Sequence, residues 1–126
     1  MIELYPQSEF PRLQDYKLIF DVTPDTIFAY DHKIYTNNEL PDHIIVHEMT
    51  HFLQQDEHGL DEWVTKYLQD PQFRLEMEIQ AYQVQLKSIK HPKARVLTMM
   101  ESAKNLASPL YGNLVSYKEA LKLLKA

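Results

Sequence analysis

Residues 44–53 read Ile-Ile-Val-His-Glu-Met-Thr-His-Phe-Leu, and the pair His47 and His51 inside that apolar run constrains the chain more than any other feature. Positions four apart on an α-helix differ by about 40° of rotation and one turn of rise, so both imidazoles share a face. At this spacing two imidazoles can reach one zinc ion at ~2.0–2.1 Å. Glu48 lies one step around from His47, badly placed for the same ion but well placed to take a proton from an activated water. The apolar neighbours predict a helix buried on more than one side, the dry and rigid support that a catalytic metal needs. With 6 His and 10 Glu in 126 residues, HExxH would arise by chance in about two shuffled chains in a hundred.

Other chemistries drop out. The absence of cysteine excludes thiol nucleophiles, zinc ribbons and iron–sulfur sites, so a metal must be held by His, Asp or Glu. Glycine occurs only at Gly59 and Gly112, which removes the Gly-rich phosphate loops of nucleotide-binding folds. A chain of 126 residues with 44% hydrophobic and 25% charged content is read as one folded domain, 1–126. No apolar run approaches the roughly 18 residues of a membrane span. The N-terminal MIELYPQSEF carries acids where a secretory signal would carry Lys or Arg and an apolar stretch, so the expectation is a cytoplasmic chain without a membrane partner. Basic residues are spread rather than interleaved with aromatics, which argues against nucleic acid.

Residues 17–40 are rich in β-branched and aromatic types, KLIFDV, TIFAYD and KIYT, and predict two or three short antiparallel strands. Pro41 and Asp42 open a helix over 41–56 that carries the HExxH. Leu60 to Gln69 predicts a further helix, and Pro71 opens a long one over 71–90. A helical segment over 91–126 follows, broken near Ser108-Pro109-Leu110-Tyr111-Gly112-Asn113. Strands first and helices afterwards give an α+β class: a small N-terminal antiparallel sheet on the active-site helix, then a helical C-terminal half.

The third metal ligand has several candidates. The pattern HExxHxxGxxH fails, since Gln54 and Glu57 stand where it requires Gly and His, and His58 comes one place late. In the 71–90 helix, Leu75, Ile79, Tyr82, Leu86 and Ile89 form one apolar stripe. With Leu75 at 0°, Glu78 falls at about 300°, on the flank of that stripe, and Glu76 at about 100°, among Gln80, Gln83 and Lys87. A carboxylate on a buried flank needs a partner, so Glu78 is the first choice, ahead of Glu76 and then Glu57 or Asp56. His43 is expected at the surface or behind the ligands, because three imidazoles on one straight helix would span about 12 Å.

His47-Glu48-Met49-Thr50-His51, a Glu about 25 residues further on in an E-x-x-A-Y setting, and a small preceding sheet resemble the gluzincin branch of the zincin metallopeptidases, at the length of its minimal single-domain members. The resemblance covers roughly residues 17–90. It implies Zn2+ held by His47, His51 and Glu78, Glu48 as general base and then acid, and hydrolysis of a peptide or protein substrate. It further implies that the strand before the helix, Ile27–Tyr30 or Lys33–Thr36, borders the cleft. The family's usual Asp four residues after the glutamate ligand is replaced by Tyr82. Tyr82, Tyr111 and His91 are candidates for stabilising the oxyanion; Trp63, Tyr67 and Phe73 are core residues or a substrate subsite; Gln54 and Gln55 are expected at the exposed end of a helix.

The rival from another class is a zinc-stabilised interaction, virion or regulatory protein without turnover. Charge adds one further expectation. Residues 1–86 hold 5 Lys/Arg against 16 Asp/Glu, a balance of −11, and residues 87–126 hold 8 against 2, a balance of +6. The basic segment should lie against the acidic body, either as ordinary core packing or, from about Ser108 onward, as a cover over the cleft.

Overall fold

The computed structural model describes residues 2–126. Strands β1 (Leu4–Tyr5), β2 (Phe28–Tyr30) and β3 (Lys33–Tyr35) form a sheet in the order β1-β3-β2. Among the described residues six α-helices accompany it. They are α1 (Leu13–Ile19), α2 (Asp42–His58), α3 (Leu60–Gln69), α4 (Pro71–Ser88), α5 (Pro92–Leu106) and α6 (Tyr117–Lys125). The class is α+β, with a helical C-terminal half, as the order of the sequence signals implies.

Strands β2 and β3 make the expected antiparallel hairpin, pairing Phe28 with Tyr35 and Tyr30 with Lys33. Asp31 and His32 turn it with φ of 51° and 61°, the left-handed pair whose twist suits a two-residue hairpin. The third strand departs from expectation. It is β1, which runs parallel to β3 with Leu4 opposite Ile34, so the sheet is mixed. KLIFDV is not a strand: Lys17, Leu18 and Ile19 end α1. Tyr16 and Phe20 stand four apart and are both buried, whereas Leu18 is 84% exposed. That is helical spacing, and burial of two rings in one core overrides the β preference of the residues between them. In this core Phe10 stacks on Phe28 at 4.4 Å, and Tyr16 meets Phe28 edge-on at 5.3 Å.

The helix ends follow local chemistry. Gly59, at φ 90°, lets the chain leave α2 and enter α3 at once. Asp70 accepts from the backbone nitrogens of Gln72 at 3.0 Å and Phe73 at 3.2 Å, with Pro71 in the first turn of α4.

Helix α4 crosses the middle of the molecule. Leu75, Ile79 and Tyr82 pack on Ala103, Leu106 and Leu124 of α5 and α6. The neighbouring face, with Met77, Glu78, Ala81 and Gln85 buried, meets α2. Helix α6 buries Ala120 and Leu124, so the basic segment is part of the core. Among the described residues no ion pair within 4.0 Å joins residues 87–126 to the acidic body. No described helix is long and apolar enough to cross a membrane.

Candidate metal centre

Glu78 projects from α4 onto the two imidazoles of α2. Its Oε1 lies 3.1 Å from His47 Nε2 and its Oε2 lies 3.2 Å from His51 Nε2. One donor atom from each of the three residues lies within 4.8 Å of the others, and all three residues are buried. Glu76 is exposed on the far side of α4, as the helical phase requires, whereas Glu78 is 2% exposed. Asp56 and Glu57 are also exposed, and Asp56 pairs with His32 at 2.8 Å.

The other face of each imidazole is held by a glutamine. His51 Nδ1 lies 2.8 Å from Gln54 Oε1, and Gln54 Nε2 donates to the carbonyl of Met77 at 3.0 Å. That carbonyl can only accept, so it fixes which way the Gln54 amide points. Similarly, His47 Nδ1 lies 2.9 Å from Gln85 Oε1, and Gln85 Nε2 lies 2.8 Å from His43 Nδ1. An oxygen opposite Nδ1 selects the Nδ1–H form, which leaves the Nε2 lone pair facing the Glu78 carboxylate. Two lone pairs about 3 Å apart repel unless a cation lies between them. A proton serves in the metal-free state; a metal ion serves both rings at once. Donors at ~2.0–2.1 Å from a tetrahedral ion are about 3.3 Å apart, close to the distance of each ring nitrogen from its nearer Glu78 oxygen, and the three donors converge within 4.8 Å, so the residues present could hold a metal ion.

Titration follows from this crowding. Burial alone would lower the pKa of His51, but the Glu78 carboxylate outweighs it and pushes the ring up to about 9. Burial alone would raise Glu78, but His51 and His47 hold it well below the usual carboxylate range. Tyr67 donates its hydroxyl hydrogen to Glu78 Oε2 and has its own pKa raised well above normal, by burial and then by that carboxylate.

Glu48 is 7% exposed, with Oε2 4.0 Å from His47 Nε2. Burial raises its pKa, partly opposed by His47 and His51. Among the described residues none donates a hydrogen bond to it. Its carboxylate borders a cavity of about 650 Å³ that also reaches His47, His51 and Glu78, a size suited to binding a ligand.

The remaining expectations divide. Tyr82 and Tyr111 both line the cavity, with their hydroxyls 2.8 Å apart, and the Tyr82 ring packs edge-on against His47 at 4.4 Å. His91 does not join them. It is exposed and caps the start of α5, accepting from the backbone nitrogen of Ala94 at 3.5 Å. Trp63 and Tyr67 line the cavity and also belong to the aromatic core, whereas Phe73 packs on that core and against His58. Strand β2 and the residue before it, through Ile27, Phe28 and Ala29, border the cavity, and β3 does not. His43 meets the Gln85 amide nitrogen at 2.8 Å and lines the cavity.

Gln54 and Gln55 correct the sequence reading. They are 5% and 2% exposed, because α3 and α4 fold back over the end of α2. Gln55 ties that helix to the sheet, donating to the carbonyl of Ala29 at 2.8 Å and accepting from Asp31 N at 3.2 Å. Gln54 and Gln85 are marked by spacing alone: one stands three residues after His51 on its face of α2, the other seven after Glu78 on its face of α4. Tyr67, from α3, had no such local signal. No family model, curated protein or solved structure matches the chain.

Proposed function

We propose that the chain is a zinc-dependent peptidase of gluzincin type, with His47, His51 and Glu78 as the metal ligands and Glu48 as the proton carrier. The observation that carries this reading is the Glu48 carboxylate, which lines the cavity that holds the three donors, 4.0 Å from His47 Nε2 and with no hydrogen bond from another side chain. A merely structural site has no need of a carboxylate at that place. When bound, zinc would supply Lewis acidity toward a carbonyl oxygen and toward water.

The chain's own residues do the rest. Gln54 and Gln85 keep Nδ1–H on each ring, so that both Nε2 lone pairs stay directed at the metal position. Tyr67 steadies the Glu78 carboxylate. Glu48 takes a proton at its carboxylate and returns it to the leaving amide nitrogen, and its raised pKa suits it to hold that proton between the two events. The Tyr82 and Tyr111 hydroxyls stand in the cavity as donors for a developing oxyanion.

The rival, a zinc-stabilised protein without turnover, draws support from the way the donors join α2 to α4. One experiment separates the two: Glu48→Gln should retain a stoichiometric zinc ion while losing hydrolysis of a degenerate peptide library, with zinc read by elemental analysis. Glu78→Gln should lose zinc and Glu76→Gln keep it. A wild-type protein that holds zinc and cleaves nothing would leave the structural reading standing.

A further inference from the structure

The cavity beside the metal donors has an uneven charge. Among its described lining residues there is no Lys or Arg, in a chain that has 13 of them. Its acids are Asp21, Asp25 and Glu101, all exposed, in addition to Glu48 and Glu78 within. Helix α5 shows how selective this is. It carries Lys93, Arg95 and Lys104 and a single acid, Glu101, yet Glu101 is the charged residue that it turns to the cavity. Arg95 is engaged elsewhere, donating to the carbonyls of Leu86 and Ile89. From the other side Asp21 approaches α5 through the 109–111 turn, its backbone nitrogen 3.4 Å from the carbonyl of Pro109.

Between these acids the walls are apolar. Phe20, Val22, Ile27, Leu97 and Leu110 line the cavity. A segment that enters must therefore bring apolar side chains to match the walls, and any anion it brings finds no Lys or Arg there, while the His51 ring already faces the Glu78 carboxylate. The Glu48 side chain lines the inner wall with no hydrogen bond from another side chain, and the charge of the outer cavity comes from Asp21, Asp25 and Glu101. Exposed acids at the mouth act over about 8 Å at 0.15 M salt and further at lower salt.

We propose that this cavity selects peptide segments in which a bulky apolar residue is flanked by Lys or Arg, and rejects acidic segments. The peptide class rests on the peptidase reading; the charge preference does not. Trp63 is the one tryptophan of the chain and lies on the cavity wall, so its emission reports entry of a ligand.

The test uses zinc-loaded Glu48→Gln protein, which binds without cleaving, and two probes: acetyl-Gly-Lys-Phe-Leu-Lys-Gly-amide and its counterpart with Glu in place of both Lys. Binding is followed by calorimetry and by Trp63 emission. The Lys probe should bind about tenfold more tightly at low salt, with the ratio narrowing as salt is raised. Adding Asp21→Lys and Glu101→Lys should abolish or invert that ratio while zinc content stays the same. Equal affinities, a preference for the Glu probe, or no binding of either probe would overturn the proposal. Digestion by the wild type separates the two readings. Preferential binding of the Lys probe without hydrolysis of either would sink the peptidase and leave the selectivity, and hydrolysis of both probes at equal rates would do the reverse.

Discussion

His51 is held in place through Gln54: the two side chains meet at 2.8 Å, and the Gln54 nitrogen is pinned to the carbonyl of Met77 at 3.0 Å. A candidate metal donor on α2 is thus oriented by the backbone of α4, the helix that carries Glu78. Metal affinity should therefore depend on an amide outside the three donors.

Replacing that amide by a side chain of similar size without polar atoms, Gln54→Leu, should weaken zinc binding about 10- to 100-fold. Gln85→Leu should act in the same direction through His47. Competition against a chromogenic chelator measures both, with circular dichroism as the control for fold. Unchanged affinity in both variants would mean that the rings are oriented by packing alone.

Removing the metal should loosen the contact between α2 and α4. An ion that binds only the native state at a hundredfold excess over its Kd adds about 2.7 kcal/mol. For a domain of this length that corresponds to a fall in Tm on the order of 10 °C when a chelator strips the zinc. Calorimetric scans with and without chelator should show this fall in the wild type and none in Glu78→Gln.

The C-terminal helix should behave as core rather than as a cover. Leu124 packs with Leu106, Ala103 and Tyr82, so Leu124→Ala should cost about 2–4 kcal/mol, measured by urea unfolding. Zinc affinity should not change. A chain ending near Leu106 should fail to fold, because it would expose the α5 and α4 surfaces that α6 buries. A folded truncation with faster peptide cleavage would restore the cover.

The HExxH spacing placed His47 and His51 on one helical face, and the helical phase of 71–90 separated the buried Glu78 from the exposed Glu76. Both are local relations, carried by a fixed rotation per residue, and they need no knowledge of what the helix packs against. The order of strand and helix signals set the α+β class for the same reason. Only the tertiary structure decided the rest. Whether Lys17-Leu18-Ile19 extends or coils depends on where Tyr16 and Phe20 find their core, and Leu4–Tyr5 becomes a strand only because β3 offers a free edge. The burial of Gln54 and Gln55 depends on α3 and α4 returning over the end of α2, and the shielding of Glu48 depends on a cavity assembled from several elements. A polar side chain next to a ligand looks the same in sequence whether water or a second helix faces it, and the difference arises from long-range contacts that local periodicity does not encode.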